Sequence, residues 1–268
     1  MIRVDKVWVV TGGGSGIGRE LVLQLLAQGA SVANVDTNAE GLKETARLAG
    51  EKKYNLSSHI LDITDRESVR TLPKEVIKRH GAVDGIINNA RMDQALKPVQ
   101  ELEYEQIEEI MNINFYGMVN MVRAFLPHLL LRTTSYIVNV SNMRGLIPCS
   151  GQAVFSASMG AVKLFTEGLS AELKGSPVKV AIIYPGAIHT NIMVNSGLES
   201  PIDQTVYKKE VKALTPEKAA NIIIKAIERD KSQGIMVGKD ARSLDLLYRL
   251  SPQRAVNLVE KEKGKTSS

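Results

Sequence analysis

The sequence predicts a single doubly wound α/β domain: a seven-stranded parallel sheet with helices on both faces. Short apolar runs alternate with longer helical patterns along the whole chain, which is the signature of strand–helix–strand units and a parallel sheet. The short runs are continuously apolar rather than alternating, as strands covered on both faces are. The chain has 268 residues, 44% hydrophobic and 24% charged, enough to bury a large core and too apolar for a disordered chain. No repeat, linker or composition break divides residues 1–268.

Each element has a local reason. Lys6–Thr11 (KVWVVT) is a compact apolar strand. A glycine-rich turn follows, then a helix over Ile17–Gln28, with Leu21, Val22, Leu25 and Leu26 at helical spacing. Ser31–Asp36 is the second strand, Asn38–Ala49 a helix and Ser57–Leu61 the third strand. Arg66–His80 reads as a helix whose middle is put in question by Pro73, and Ala82–Asn88 as the fourth strand. Glu105–Leu131 is a long amphipathic helix expected to break at Pro127. Ser135–Ser141 is the fifth strand, Gly151–Lys174 a long helix, and Val178–Tyr184 the sixth strand, ended by Pro185. Thr215-Pro216 is a helix start, threonine as N-cap and proline in the first turn, for a helix to about Arg229. Gly234–Val237 is a short seventh strand, Ser243–Glu260 a final helical extension (about 240–260 overall), and Lys261–Ser268 is expected to fray. Residues 186–213 have the least regular pattern, and a loop of that length in a compact domain usually serves a site, often as a lid.

Composition excludes several classes. The net charge of +5 comes from basic residues scattered singly or in pairs, so no nucleic-acid-binding patch is expected. Cys149, the single cysteine, cannot form an intrachain disulfide. His59, His80, His128 and His189 lie too far apart for metal-ligand spacing, so no metal site is expected. No apolar run is long enough to span a bilayer, and Val7–Val10 is too short and too early for a signal peptide. A reducing cytoplasm is the expected compartment.

The turn Thr11-Gly-Gly-Gly-Ser-Gly-Ile-Gly18 lies between the first strand and the first helix. Glycines there let the backbone approach a pyrophosphate, and the helix N-terminus presents free N–H groups to it. Gly12, Gly14, Ser15, Gly16, Ile17 and Gly18 are therefore candidate cofactor residues. Asp36 ends the second strand, at the distance beyond Gly18 where dinucleotide-binding folds place an acidic residue. A carboxylate at that place accepts both ribose hydroxyls and repels a 2′-phosphate, and no arginine follows it directly, so NAD is favoured over NADP.

These residues give the chain a resemblance, over essentially its full length, to the short-chain dehydrogenase/reductase family of classical type. The family's Thr-Gly-x3-Gly-x-Gly motif matches Thr11–Gly18, its adenine-contacting Asp matches Asp62, and its Asn-Asn-Ala-Gly motif appears as Asn88-Asn89-Ala90-Arg91. Its active-site Asn matches Asn114, its catalytic Ser matches Ser141, its Pro-Gly matches Pro185-Gly186, and its nicotinamide-amide contact matches Thr190. The resemblance implies a Rossmann fold, hydride transfer between NAD and an alcohol or ketone, and a homodimer or homotetramer built through helices 105–131 and 151–174. Val154, Ala157, Ala161 and Phe165 offer an apolar face on the second of these.

The departures matter as much. The family carries Tyr-x-x-x-Lys at a set distance downstream of its serine. This chain keeps that distance from Ser141 but has Phe155-Ser-Ala-Ser-Met159 there. In the family the tyrosine moves a proton at the carbonyl oxygen, and the lysine, one turn away on the same helix face, lowers the phenol's pKa and binds the nicotinamide ribose. Phe155 has no proton to transfer and Met159 no charge. Loss of a general acid costs about 10²–10⁴-fold, so ordinary ketone–alcohol turnover is expected to be absent or at least about a hundredfold reduced. Ser141 and Asn114 are expected to remain able to bind a carbonyl oxygen. Both replacements conserve shape, as in a natural pseudoenzyme or an engineered variant.

Changes nearby do not conserve shape. Arg91 stands at a family glycine, where a positive φ would strain it. Asp93, Asn142, Arg144 and Gln152 join it as candidate pocket residues, with His189 as a surrogate acid. Arg91 and Arg144 suit an anionic group, with Asp93 pairing one of them, which opens a second reading as a non-redox catalyst or binding protein. Cys149 reads as an apolar filler, and Tyr184 and Tyr116 as core residues.

Overall fold

The computed structural model describes residues 5–188, 213–229 and 234–266. Seven parallel strands form one sheet in the order β3-β2-β1-β4-β5-β6-β7. They are β1 (Val7–Thr11), β2 (Ser31–Asp36), β3 (Leu56–Ile60), β4 (Gly85–Asn88), β5 (Ser135–Val140), β6 (Val178–Pro185) and β7 (Ile235–Val237). Among the described residues the helices are α1 (Gly16–Ala27), α2 (Ala39–Ala49), α3 (Arg66–His80), α4 (Tyr104–Met111), α5 (Met118–Leu129), α6 (Ala153–Glu172), α7 (Pro216–Glu228), α8 (Lys239–Leu250) and α9 (Pro252–Thr266).

The strand order doubles back between β1 and β4, so a crevice opens beyond their C-terminal ends, where such sheets bind ligands. Two apolar layers hold the sheet. One packs Val9, Ile86 and Ile137 against α3, α5 and α6 through Leu72, Phe125 and Val162. The other packs Trp8, Val10 and Val138 against α1 and α7 through Leu21, Leu25 and Ile223. Burying side chains of this size is worth about 1.5–3 kcal/mol each, which fixes the strand ends that carry the crevice. At the opposite end of the sheet, Asp84 is fully buried and accepts from Lys6 Nζ and Arg132 Nε, both at 3.0 Å, and from Val7 N at 2.9 Å.

Several boundaries correct the sequence reading. Pro73 and Pro127 both lie inside unbroken helices, α3 and α5. Proline in the middle of α3 forfeits one N–H, and burial of its ring in the core offsets that loss. The predicted helix 105–131 is instead divided at Asn112–Gly117, a π-helical turn. Such turns relieve a local misfit and commonly mark functional positions; Asn114 lies in this one. The expected final helix is two, α8 and α9, separated at Ser251-Pro252, and α9 continues through Thr266 where fraying was expected. The fourth strand begins at Gly85, not Ala82, because Asp84 is spent on the charge cluster. Tyr184 is buried as expected, whereas Tyr116 is about half exposed and lies outside the core. Most of the expected substrate loop, residues 189–212, lies outside the described residues.

Candidate functional site

The turn between β1 and α1 is closed by backbone approach. Gly12 has φ +70°, and a Cβ on it would stand 2.9 Å from Ala90 Cα. A Cβ on Gly18 would collide with the Gly12 carbonyl oxygen. Thr11 Oγ1 accepts from Asn89 N and Ala90 N, both at 3.0 Å, and Asn89 Nδ2 donates to Thr11 O at 3.0 Å. The end of β4 is thereby laced onto the glycine turn. Ser15, in extended conformation, is the N-cap of α1, so the positive end of that helix faces the crevice.

Asp36 ends β2 beside this turn. Its Oδ2 accepts from Gly14 N at 2.8 Å and its Oδ1 from Asn38 N at 2.9 Å. Arg19 reaches back to the Gly14 carbonyl and to Thr45 Oγ1, fixing the turn from below. Asp62 is held by Thr64, whose N and Oγ1 both donate to Asp62 Oδ1 at 2.8 Å. Gly12, Ser15, Ile17, Asp36, Asp62 and Arg91 line one crevice of about 420 Å³, together with Gly16, Asn89 and Ala90. A glycine floor that any Cβ would obstruct, a helix N-terminus and a strand-end carboxylate fit a dinucleotide.

The reaction end is different in kind. Phe155 and Met159 lie one turn apart on α6 and are 2% and 1% exposed. They sit in the core layer rather than at a polar surface. Ser141 is 0% exposed, and its hydroxyl donates to the Met159 carbonyl at 3.0 Å. Asn114 Oδ1 accepts from Met92 N at 2.7 Å, while its Nδ2 donates to Met92 O and Ser158 Oγ, both at 3.0 Å. Both side chains brace the ends of β4 and β5 against α6. Asn142, one residue on, is half-buried and its Oδ1 accepts from Arg144 N at 2.9 Å.

Around this end the structure gathers the charged residues predicted for the pocket. Gln152 Nε2 donates to Asp93 Oδ1 at 3.1 Å, and Gln94 N donates to the same oxygen at 2.9 Å. Burial pushes the Asp93 carboxyl above its ordinary range, against the Gln94 amide and the charges of Arg91 and Arg144. Burial likewise pulls the Arg91 guanidinium below its ordinary value, against Asp93. Arg91 does not have a positive φ, since Asp5 is the one described non-glycine residue that has, so the strain expected there is absent. Arg91 lines the nucleotide crevice, and both Arg91 and Arg144 lie close enough to Asp93 to act on its carboxyl. His189 and Thr190 lie outside the described residues. Among the described residues no cluster of three His, Cys, Asp or Glu is arranged to hold a metal.

Two positioning residues escaped the sequence reading. Gln94, almost fully buried, accepts from Phe155 N at 2.9 Å and donates to Gly151 O at 2.9 Å, so it caps α6 from a remote loop. Asp240, in the first turn of α8, accepts from Ala187 N at 2.8 Å and fills the space that a Cβ on Gly186 would need, which fixes the Pro185-Gly186 turn. Neither has a local signal, because each acts on backbone far away in the sequence. Cys149 is buried, as a filler would be, and Lys163 pairs with Glu167 at 2.9 Å.

The family profile described as short chain dehydrogenase matches residues 6–200. An oxidoreductase named SadH from Mycobacterium tuberculosis is 35% identical over 260 residues, covering 95% of this chain and 94% of the relative. A short-chain dehydrogenase/reductase from Burkholderia phymatum, solved in complex with NAD, superposes with a TM-score of 0.84 at 21% identity, covering 94% of this chain and 96% of that one. Serine dehydrogenase, solved with NADP+, superposes with a TM-score of 0.77 at 24% identity, covering 86% and 93%. At these identities the two solved structures speak for the fold alone. The family profile and the 35% relative go further: this chain belongs to the short-chain dehydrogenase/reductase family.

Proposed function

We propose that the chain binds NAD in the crevice between the glycine turn and Asp62, and that its ability to interconvert alcohols and ketones is at least about a hundredfold below that of a Tyr/Lys-bearing relative. One feature supports this reading: at the spacing from Ser141 where the resemblance places a proton donor and a cation, this chain has Phe155 and Met159, both buried on α6. When bound, a nicotinamide supplies or accepts hydride. The chain's own residues then do unequal shares of the remaining work. The α1 N-terminus and the glycine turn orient the phosphates, and Asp36 selects the ribose diol and disfavours a 2′-phosphate, which supports NAD over NADP. Ser141, whose hydroxyl rests on the Met159 carbonyl, is the candidate to hold a carbonyl oxygen, with Asn142 beside it. No phenol stands at position 155 to hand a proton to an alkoxide, and a missing general acid is worth about 3–5 kcal/mol of barrier.

The test is NADH binding by fluorescence and calorimetry, followed by alcohol and ketone assays on the wild type and on Phe155→Tyr/Met159→Lys. Micromolar NADH affinity, with turnover that rises about a hundredfold or more in the double variant, is expected. Robust NAD-linked oxidation of a simple secondary alcohol by the wild type overturns the reading. The raised carboxyl of Asp93 favours a second reading, a non-redox catalyst in which Asp93 works as acid or base between Arg91 and Arg144. Cofactor-free turnover abolished by Asp93→Asn distinguishes it. A small-molecule ligand fits either reading. The uncovered face of α6, where Ala157 and Leu164 are exposed and nothing approaches Gly168, suits a homodimer or homotetramer. Among the described residues no helix is long and apolar enough to cross a membrane, and we place the protein in the cytoplasm.

A further inference from the structure

We propose that Arg91 is a side-chain phosphate ligand, its guanidinium binding the pyrophosphate of the dinucleotide that the glycine turn holds through backbone alone. This rests on the dinucleotide reading and deepens it. Three observations converge. Arg91 follows Ala90 directly, and the Ala90 backbone packs on Gly12 so closely that a Cβ on Gly12 would stand 2.9 Å from Ala90 Cα. Residue 91 thus springs from the wall of the phosphate turn. Arg91 lines the same crevice as Gly12, Ser15 and Gly16, and it is the one basic side chain among the described residues that does. Against it stand three carboxylates, Asp36, Asp62 and Glu109. Finally, among the described residues the Arg91 guanidinium has no hydrogen bond, and its Nε is buried without a partner. Asp93, the countercharge it feels, is engaged by Gln94 and Gln152 instead.

A buried donor without an acceptor is costly, and a guanidinium fork matches two phosphate oxygens at once. A diester of pyrophosphate is the anion that the crevice geometry brings within its reach. The residue is also well placed to offset the three acidic walls, which otherwise oppose any anion entering.

The experiment compares the wild type, Arg91→Met and Arg91→Lys, each checked for folding by thermal unfolding. The probes are NADH, ADP-ribose, adenosine and inorganic pyrophosphate, at two salt concentrations. Arg91→Met is expected to weaken NADH and ADP-ribose about 10–100-fold, the range of a lost charge-assisted contact, and to leave adenosine within about threefold. Arg91→Lys, which keeps the charge and loses the fork, falls between. The salt dependence of NADH binding becomes shallower in Arg91→Met. Equal or tighter NADH binding by Arg91→Met overturns the proposal and makes Arg91 an obstruction. If the wild type binds pyrophosphate but not NADH, and Arg91→Met binds neither, the arginine site stands and the dinucleotide reading fails. If the wild type binds none of the four probes, both fail.

Discussion

The nucleotide half of the crevice and its reaction end use hydrogen bonds for opposite purposes. At the glycine turn, polar groups hold backbone in place and leave a floor, a helix end and the outer edges of Asp36 and Asp62 facing outward. At the reaction end, Asn114 bonds to Met92 and Ser158, while Ser141 and Ser158 donate to backbone carbonyls of α6. Phe155 and Met159 complete that inward closure with apolar volume. One half is built to receive a ligand, and the other is built as core. Tight packing tolerates volume-conserving changes far better than cavities, so a core of this kind accepts Phe155 and Met159 without changing its shape.

Adding one methyl to each half should separate them most sharply. Gly18→Ala drives a Cβ into the Gly12 carbonyl oxygen. It should cost about 3–5 kcal/mol, lower Tm by about 10 °C and abolish NADH binding. Gly145→Ala puts a Cβ 2.7 Å from the Met159 carbonyl. It should cost about 2–3 kcal/mol yet leave NADH affinity within about threefold. If Gly145→Ala costs NADH affinity as heavily as Gly18→Ala, the two halves are one unit and the contrast drawn between them is wrong.

A smaller response tests whether the reaction end is truly core. Met159→Lys places an ammonium where the methionine is 1% exposed, and a buried unpaired charge is expected to cost about 2–4 kcal/mol. Thermal unfolding without nucleotide reads this directly. Saturating NADH should recover part of the lost Tm, because a bound dinucleotide offers the cation acceptor oxygens. An unchanged Tm without nucleotide would mean the slot is already open to water. On the nucleotide side, Asp36→Ala removes the carboxylate that also holds Gly14 N and Asn38 N. NADH should weaken about 10-fold while NADPH strengthens, a reversal of about 1.4 kcal/mol or more. Equal loss for both cofactors would reduce Asp36 to a brace for the turn.

The same asymmetry governs what the sequence reveals. The glycine turn and Asp36 were legible because their spacing along the chain is set by strand and helix lengths, while Asp62 came from the resemblance. Apolar runs located the central strands, since a doubly covered sheet demands them, whereas β3 (LSSHI) at the sheet edge is half polar. What escaped reading depends on contacts across the fold. Asn112–Gly117 has no local breaker to announce a π-helical turn, and the prolines that do announce breaks, Pro73 and Pro127, are absorbed by burial or by a helix end. Ser141 was read through the resemblance, and no local pattern shows that its hydroxyl rests on the Met159 carbonyl across the fold. Gln94 and Asp240 are ordinary polar residues until the chain folds and brings a helix end or a turn against them.

The weakest response is in pH, where two buried clusters should act with opposite sign. Near the start of β3, outside the crevice lining, Ser57 Oγ lies 2.9 Å from His59 Nε2 and 2.8 Å from His80 Nε2. One hydroxyl proton can serve only one of two neutral rings, so the other ring must donate to it. Burial, with Arg79 and His59 adding repulsion, pulls His80 down to about 4, and burial outweighs Glu75 in pulling His59 down. The unfolded chain therefore binds more protons than the folded one as pH falls from about 6.5 through 4. Stability held above that window is lost within it, by about 1 kcal/mol once solvent screening is allowed for, and His80→Gln should flatten the decline. At the reaction end the Asp93 carboxyl is raised, so its burial penalises the fold at neutral pH and ceases to do so once acid protonates it. Asp93→Asn should therefore raise Tm near pH 7 and have no effect near pH 4 or below. Measured together as Tm against pH, His80→Gln should raise the acid end of the curve and Asp93→Asn its neutral end. A uniform shift of both curves would mean that neither group titrates in the window assigned to it.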